Sequence, residues 1–185
     1  MPRLTKLYTR KGDRGTTTLT SGEQVSKDEL RVRAYGSVDE LNSALGLSRA
    51  FGPDSRLDEL LGRLQNELFH LGAEVSASAE TKKDGPRIDA RHVQALEAEI
   101  DELMGAVGPL DNFVLPAGTP AAAALHLARS ICRRAERELV ALSRQEQVSP
   151  VALSYLNRLS DTLFAMALYE NKRRGKWEVY WDSRA

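Results

Sequence analysis

Apolar residues recur along much of this chain in alternating steps of four and three, the spacing that gathers them on one stripe of an α-helix. The clearest run is Leu57, Leu61, Leu64, Leu68, Leu71 and Val75, which predicts a helix from about Asp54 to Ser78. Val93, Leu96, Ile100 and Leu103 repeat the pattern behind Asp89, a residue type suited to capping a helix N-terminus. Ala121, Leu125, Ala128, Cys132, Ala135, Leu139 and Leu142 mark another helix from about Pro120 to Arg144. Ser149-Pro150, a serine cap with proline at the first helical position, opens a last one that runs to about Arg174 and stops at Gly175. The first helix is expected at Ser37-Val38-Asp39-Glu40, read as a capping box, continuing through Leu41, Leu45 and Ser48 to Gly52-Pro53. Five such helices predict an all-α fold, a five-helix up-and-down bundle.

The 185 residues suit a single domain with a substantial core. Within it, residues 1–36 read as an extended polar N-terminal arm, 37–174 as the helical bundle and 175–185 as an aromatic tail. Lys82-Lys83-Asp84-Gly85-Pro86 reads as an exposed connection. The stretch from Gly105 to Thr119 is too long and too apolar, with Phe113-Val114-Leu115 at its centre, for an ordinary bundle turn. It either faces a ligand or packs over the bundle end. The tail Lys176-Trp177-Glu178-Val179-Tyr180-Trp181 alternates and is aromatic-rich, which suits an extended segment laid on another surface, one that could belong to a neighbouring subunit.

Charge narrows the range of partners. Twenty-six Lys and Arg balance 26 Asp and Glu, so the chain lacks the global basic field on which non-specific nucleic-acid binding rests. The opening residues Met1 to Lys6 carry no apolar signal core, and no run of eighteen apolar residues offers a membrane span. The expectation is a soluble cytoplasmic protein. Cys132 is the one cysteine and falls on an apolar seam, as a buried inert thiol would. His70, His92 and His126 show no paired ligand spacing and read as surface or packing histidines, so no protein metal site is assigned. Asp161 and Glu170 can be imagined as an acid–base pair, but nothing else in the sequence calls for one.

Chemistry concentrates in two places. From Arg129 to Arg137, four arginines and Glu136 occupy nine positions of the fourth helix. Arg129, Arg133 and Arg137 share one face, where like charges cost an isolated helix roughly 0.2–0.5 kcal/mol per pair. An anion would offset that cost; a solvated basic face paired with acids of neighbouring helices is the competing reading. The second place is Thr9-Arg10-Lys11-Gly12-Asp13-Arg14-Gly15-Thr16-Thr17-Thr18, followed by Lys27. Its glycines let the backbone bend so that successive amides point at an anion, with hydroxyls and cations as further donors. The order is not that of a Walker A loop, so the usual strand–loop–helix nucleotide fold is not indicated.

Five blocks in order resemble the cobalamin adenosyltransferases of the PduO type, the ATP:cob(I)alamin adenosyltransferases. They are Tyr8 to Gly15, Ala34 to Ser43, Phe113 to Pro116, Arg133 to Arg137 and Tyr155 to Asp161, so the resemblance covers nearly the whole chain. The pattern departs at Ala117, where the family would have glycine. The resemblance implies a homotrimer of five-helix bundles with active sites between subunits. It implies that Thr9, Arg10, Lys11, Gly12, Thr17, Thr18 and Lys27 wrap ATP, and that Arg133, Arg134, Ala135, Glu136, Arg137 and Asn157 form the opposite wall. Arg133, Arg137 and Asp39 are the implied catalytic set, Asp39 pairing with Arg133 across a subunit boundary, and Phe113 is the implied aromatic beside the corrin ring.

The implied reaction moves the 5′-deoxyadenosyl group of ATP to the cobalt of cob(I)alamin, giving adenosylcobalamin and triphosphate. Mg²⁺ would be held mainly by the ATP phosphates, and Glu136 is read as a salt-bridge partner of Arg133 or Arg137 rather than as its ligand. Cobalamin is the second substrate, and the product would pass to an adenosylcobalamin-dependent enzyme. The same arm and arginines would also suit a non-catalytic ATP-binding regulator. A phosphotransferase would be told apart by releasing ADP.

Overall fold

A computed structural model describes residues 8–77 and 85–184. Five helices account for most of it: α1 (Leu30–Ala50), α2 (Ser55–Ser76), α3 (Ala90–Val107), α4 (Pro120–Ser143) and α5 (Pro150–Arg173). They follow a short antiparallel hairpin, β1 (Thr16–Thr18) paired with β2 (Gln24–Ser26), with Thr17 opposite Val25. Lys82, Lys83 and Asp84, and the expected end of the second helix at Ser78, lie outside the described residues. Among those described, no helix is long and apolar enough to cross a membrane.

Local chemistry accounts for most helix boundaries. Asp54 accepts the Arg56 amide at 3.1 Å and so caps α2. Asp89 caps α3 by accepting the Arg91 amide at 2.9 Å, and His92 accepts the Asp89 amide at 3.1 Å in return. That bond gives His92 a capping role. Thr119 caps α4 through the Ala122 amide, with Pro120 at the first helical position. Gly52 (φ +63°) and Gly175 (φ +64°) take the left-handed conformation that lets the chain leave α1 and α5. Ser149 precedes α5 as expected, but its hydroxyl makes no capping bond, and Pro150 alone carries the start signal.

The first helix departs from the sequence reading. It begins seven residues before Ser37, which therefore lies inside it and caps nothing. The same S-x-x-E pattern occurs earlier, at Ser26 to Glu29, and there the Ser26 amide donates to the Glu29 carboxylate at 3.4 Å. Arg31 explains the choice. Its buried guanidinium donates to the carbonyls of Val75 and Ala77 at the end of α2 and pairs with Glu146 after α4, so the extra helical turns dock on two other elements.

Helix α1 packs on α2 and α4, α4 on α5, and α5 on α3. Arg56 and Arg63 of α2 reach Glu99 and Glu102 of α3 at 2.7–3.3 Å and close the ring. The seams meet inside it: Leu41, Leu45, Leu57, Leu61, Leu64, Leu71, Leu96, Leu103, Leu125, Leu139 and Leu156 are fully buried. Each such leucine contributes about 1.5–3 kcal/mol relative to exposure. One polar pair lies among them, with the Tyr155 hydroxyl donating to Glu67 at 2.8 Å.

Candidate active site

The arm is more ordered than a polar terminus need be. Its loop turns on the Gly15 amide donating to the Gly12 carbonyl at 3.2 Å, and the Lys27 amide returns to the Gly15 carbonyl at 2.9 Å. A Cβ on Gly12 would lie 3.1 Å from Lys27 Nζ, so the absence of a side chain at Gly12 leaves room for the ammonium to fold over the loop. Lys27 and Gly12 thus belong to one small structure, with Thr17 and Thr18 on the strand that follows. Buried Leu19 and the Thr20 hydroxyl, which donates to the Ser76 carbonyl at 3.0 Å, fasten the hairpin to the end of α2. Thr9, Arg10 and Lys11 are exposed beside it, and Arg10 stands over the Tyr8 ring at 5.6 Å with a positive φ of 60°.

Between the hairpin, α1 and α2 lies a groove of about 470 Å³, with Thr18, Tyr35, Asp39, Asn42 and Phe69 among its walls. It brings Thr18 and Asp39 to one surface. Asp39 makes no ion pair among the described residues.

The arginines of α4 divide by environment. Arg134 pairs with Glu40 of α1 and is half-buried, with its Nε unpartnered among the described residues. Arg129 lies over the Phe164 ring at 5.3 Å. Arg133 and Arg137 are exposed and meet no carboxylate among the described residues; Arg137 only donates to the Arg133 carbonyl one turn back, at 3.2 Å. Glu136 is not their salt-bridge partner, because its carboxylate accepts the Asn157 amide at 3.0 Å, and Asn157 in turn accepts from Arg158. Ala135 is fully buried at the α4–α5 contact and can offer a ligand only backbone. No hydrogen bond or ion pair joins the arm to Arg133, Arg137 or Asn157 among the described residues.

The loop between α3 and α4 projects outward, and Phe113 at its tip is 76% exposed. The tail pairs with it. The Leu115 amide donates to the Val179 carbonyl at 2.7 Å, the Trp181 amide to the Phe113 carbonyl at 2.8 Å, and Trp181 meets the Phe113 ring edge-on at 6.2 Å. The surface under the tail is therefore this chain's own loop. A cavity of about 440 Å³ lies behind Phe113, bounded also by Asn112, His126, Arg129 and Phe164. Burial, then the Arg129 charge, push the His126 imidazole below its ordinary value, and its Nε2 is buried without a partner among the described residues. Phe164 lines this cavity and Trp181 touches Phe113, neither of which the sequence singled out beyond the aromatic character of the tail, whereas Arg129, read with the anion-seeking face, turns to the cavity instead.

Other candidates are spoken for. Glu170 is buried between the Arg174 guanidinium and the Asp54 amide, which makes it structural, so no acid–base pair with Asp161 is supported. The Cys132 thiol is buried, donates to the Leu156 carbonyl at 3.2 Å, and is pushed far up by burial. Among the described residues no three His, Cys, Asp or Glu side chains gather as metal ligands.

Five helices carry a cationic arm bent at Gly12 and Gly15, an arginine pair that meets no carboxylate among the described residues, and an exposed aromatic loop, a combination that defines a class of helical protein distinct from the strand–loop–helix nucleotide binders. The family profile of the cobalamin adenosyltransferases matches residues 7–170, and the chain belongs to that family. It is 45% identical to the corrinoid adenosyltransferase PduO of Salmonella typhimurium over 166 residues, which are 89% of this chain and 49% of that one. The chain thus spans about half the length of that relative. Against the corrinoid adenosyltransferase of Bacillus subtilis it is 42% identical, covering 97% of this chain and 94% of that one. A variant PduO-type ATP:corrinoid adenosyltransferase from Lactobacillus reuteri, solved with cobalamin and ATP, superposes with a TM-score of 0.91 at 36% identity, covering 96% of this chain and 97% of that one.

Proposed function

We propose that this chain transfers the 5′-deoxyadenosyl group of ATP to the cobalt of a reduced corrinoid. The observation that carries the reading is the pair Arg133 and Arg137, one turn apart, exposed, and unneutralised among the described residues. Two such cations on a helix face call for an anion, and a departing triphosphate supplies one.

In this reading cobalt(I) attacks the ribose C5′. The cobalt electron pair forms the Co–C bond, the C5′–O bond breaks, and its electrons leave on triphosphate. The substrate carries the nucleophile, so the protein contributes orientation and electrostatics. The Gly12–Lys27 arm with Thr9, Arg10, Lys11, Thr17 and Thr18 wraps the phosphates, and Mg²⁺ arrives with ATP. Arg133 and Arg137 stabilise charge where it develops, an effect worth roughly 10²–10³ in rate for a single donor. Asn157, held by Glu136, orients the nucleotide side of α5. Phe113 packs beside the corrin and excludes water from its lower face. Among the described residues no bond ties the arm to the arginine wall, and the reading follows the family resemblance in setting the two on adjacent protomers of a homotrimer of up-and-down bundles, with Asp39 of one reaching Arg133 of the next. The segment before Leu30, the helices from Leu30 to Arg173 and the tail from Gly175 then serve as nucleotide arm, scaffold and corrin-side tail, the arm ending short of the expected residue 36 because α1 starts earlier.

Anaerobic incubation with Mg·ATP and chemically reduced cobalamin, following the corrin spectrum and the phosphate product together, tests this. Adenosylcobalamin with stoichiometric triphosphate is the expected result. Tight ATP binding without either product would replace the enzyme with an ATP-binding regulator, and ADP as product would indicate phosphoryl transfer.

A further inference from the structure

Asn171, in the last turn of α5, is fully buried. An amide so placed needs partners for both ends, and it finds them in a loop more than fifty residues back and in the tail just beyond α5. Its Oδ1 accepts the Thr119 amide at 3.0 Å, while Nδ2 donates to the Ala117 carbonyl at 3.3 Å and to Glu178 Oε1 at 3.1 Å. Its own carbonyl accepts the Lys176 amide at 2.8 Å. The residue between the two loop contacts is Gly118, at φ +112°, where a Cβ would sit 2.0 Å from Asn171 Oδ1. The end of the loop is therefore shaped around this one amide.

From Asn171 two strands of chain lead outward and meet again. One runs back through Pro116 to Phe113 and the other forward through Glu178 to Trp181. They rejoin through the two backbone bonds between 113–115 and 179–181, the Asn112 Nδ2 bond to the Trp181 carbonyl at 3.1 Å, and the edge contact of the two rings. At 76% exposure, the Phe113 ring has little other packing to fix its direction.

We propose that Asn171 is a positioning residue for the corrinoid: it fastens loop 112–119 and tail 176–181 into one unit that presents Phe113 and Trp181 together. What that unit faces rests on the adenosyltransferase reading; the fastening itself does not. A residue that merely closed the end of α5 would have no reason to bind Glu178.

The chain's two tryptophans, Trp177 and Trp181, both lie on the tail, so intrinsic fluorescence reads the fastening without catalysis. In a Trp177→Phe background, Asn171→Asp sets a second carboxylate against Glu178 and removes the donor to Ala117. Trp181 emission should move to longer wavelength and become more accessible to acrylamide, and Glu178→Gln added to Asn171→Asp should restore both by supplying a donor to the new carboxylate. Adenosylation starting from Co(II) corrinoid with a reductant should fall by at least about tenfold, the scale of one unsatisfied buried group, with the KM for ATP unchanged and the same rescue. Should Asn171→Asp fail to fold, Glu178→Ala cuts the tail strut alone and should give the same Trp181 shift. Unchanged Trp181 emission in a folded variant, or losses that fall equally on the ATP KM and escape rescue, would overturn the proposal. A Trp181 shift in a chain that forms no adenosylcobalamin even as wild type would uphold the fastening and refute the adenosyltransferase reading.

Discussion

Arg134 is paired with Glu40 across the α1–α4 contact, whereas Arg133, one position earlier, meets no carboxylate among the described residues. One helical step, about 100° of rotation, turns one guanidinium toward a neighbouring helix and the other away from it. Arg133→Ala should therefore leave the melting temperature near wild type and lower turnover by roughly 10²–10³. Glu40→Ala, which breaks a half-exposed pair, should cost no more than about 1 kcal/mol of stability. Steady-state rates and thermal melts on the two variants check this; near-normal turnover in Arg133→Ala would take that residue out of the reaction.

Phe113→Ala should slow reaction from Co(II) corrinoid more than reaction from prereduced Co(I). The ring's proposed task is to keep water off the lower cobalt face, which matters for reduction and not for attack on ATP. Parallel assays with the two oxidation states decide it, and equal losses would contradict that task.

Arg31 and Arg33 both donate to glutamates, yet they should differ in weight. Arg31 is buried and satisfies two carbonyls at the end of α2, so Arg31→Ala strands those groups at about 1–3 kcal/mol. Arg33 pairs with Glu138 at 2.9 Å with its own side chain 53% exposed, and Arg33→Ala should cost no more than about 1 kcal/mol. Denaturant melts of both variants compare them directly, and equal losses would mean that burial does not set the difference.

Stability should fall in mild acid through His126. The folded chain holds this imidazole below its ordinary value, chiefly by burial and then by the Arg129 charge, whereas the unfolded chain protonates it near 6.5. Its neutral form is therefore free of penalty above about 6.5, and stability is lost as pH drops through the folded, lower value. Denaturation between pH 7.5 and 5 should show a shallower acid loss in His126→Gln than in wild type, an order that identical slopes would disprove.

The scaffold was legible because its rules are local. Leucine spacing and an aspartate cap specify α2 and α3 within a few residues, and the arginine run needs no tertiary knowledge to be read as unusual. The start of α1 was not legible: Ser37 to Glu40 carries a capping pattern that the helix does not use, no side chain caps the actual start at Glu29, and the docking of Arg31 on the end of α2 holds the extra turns. The short hairpin escaped notice because its strands, three residues each, show too little periodicity.

By itself, then, the sequence determined five helices, their buried faces, the two cationic segments and the family these compose, since helical period, caps and charge spacing act over a turn or two. Tertiary structure alone decided which arginines are neutralised, that the tail lies on this chain's own loop, and that Asn171 ties the two together. Each of those outcomes depends on at least one partner tens of residues away, whose meeting is fixed by helix packing and by the need of buried polar groups to find one another.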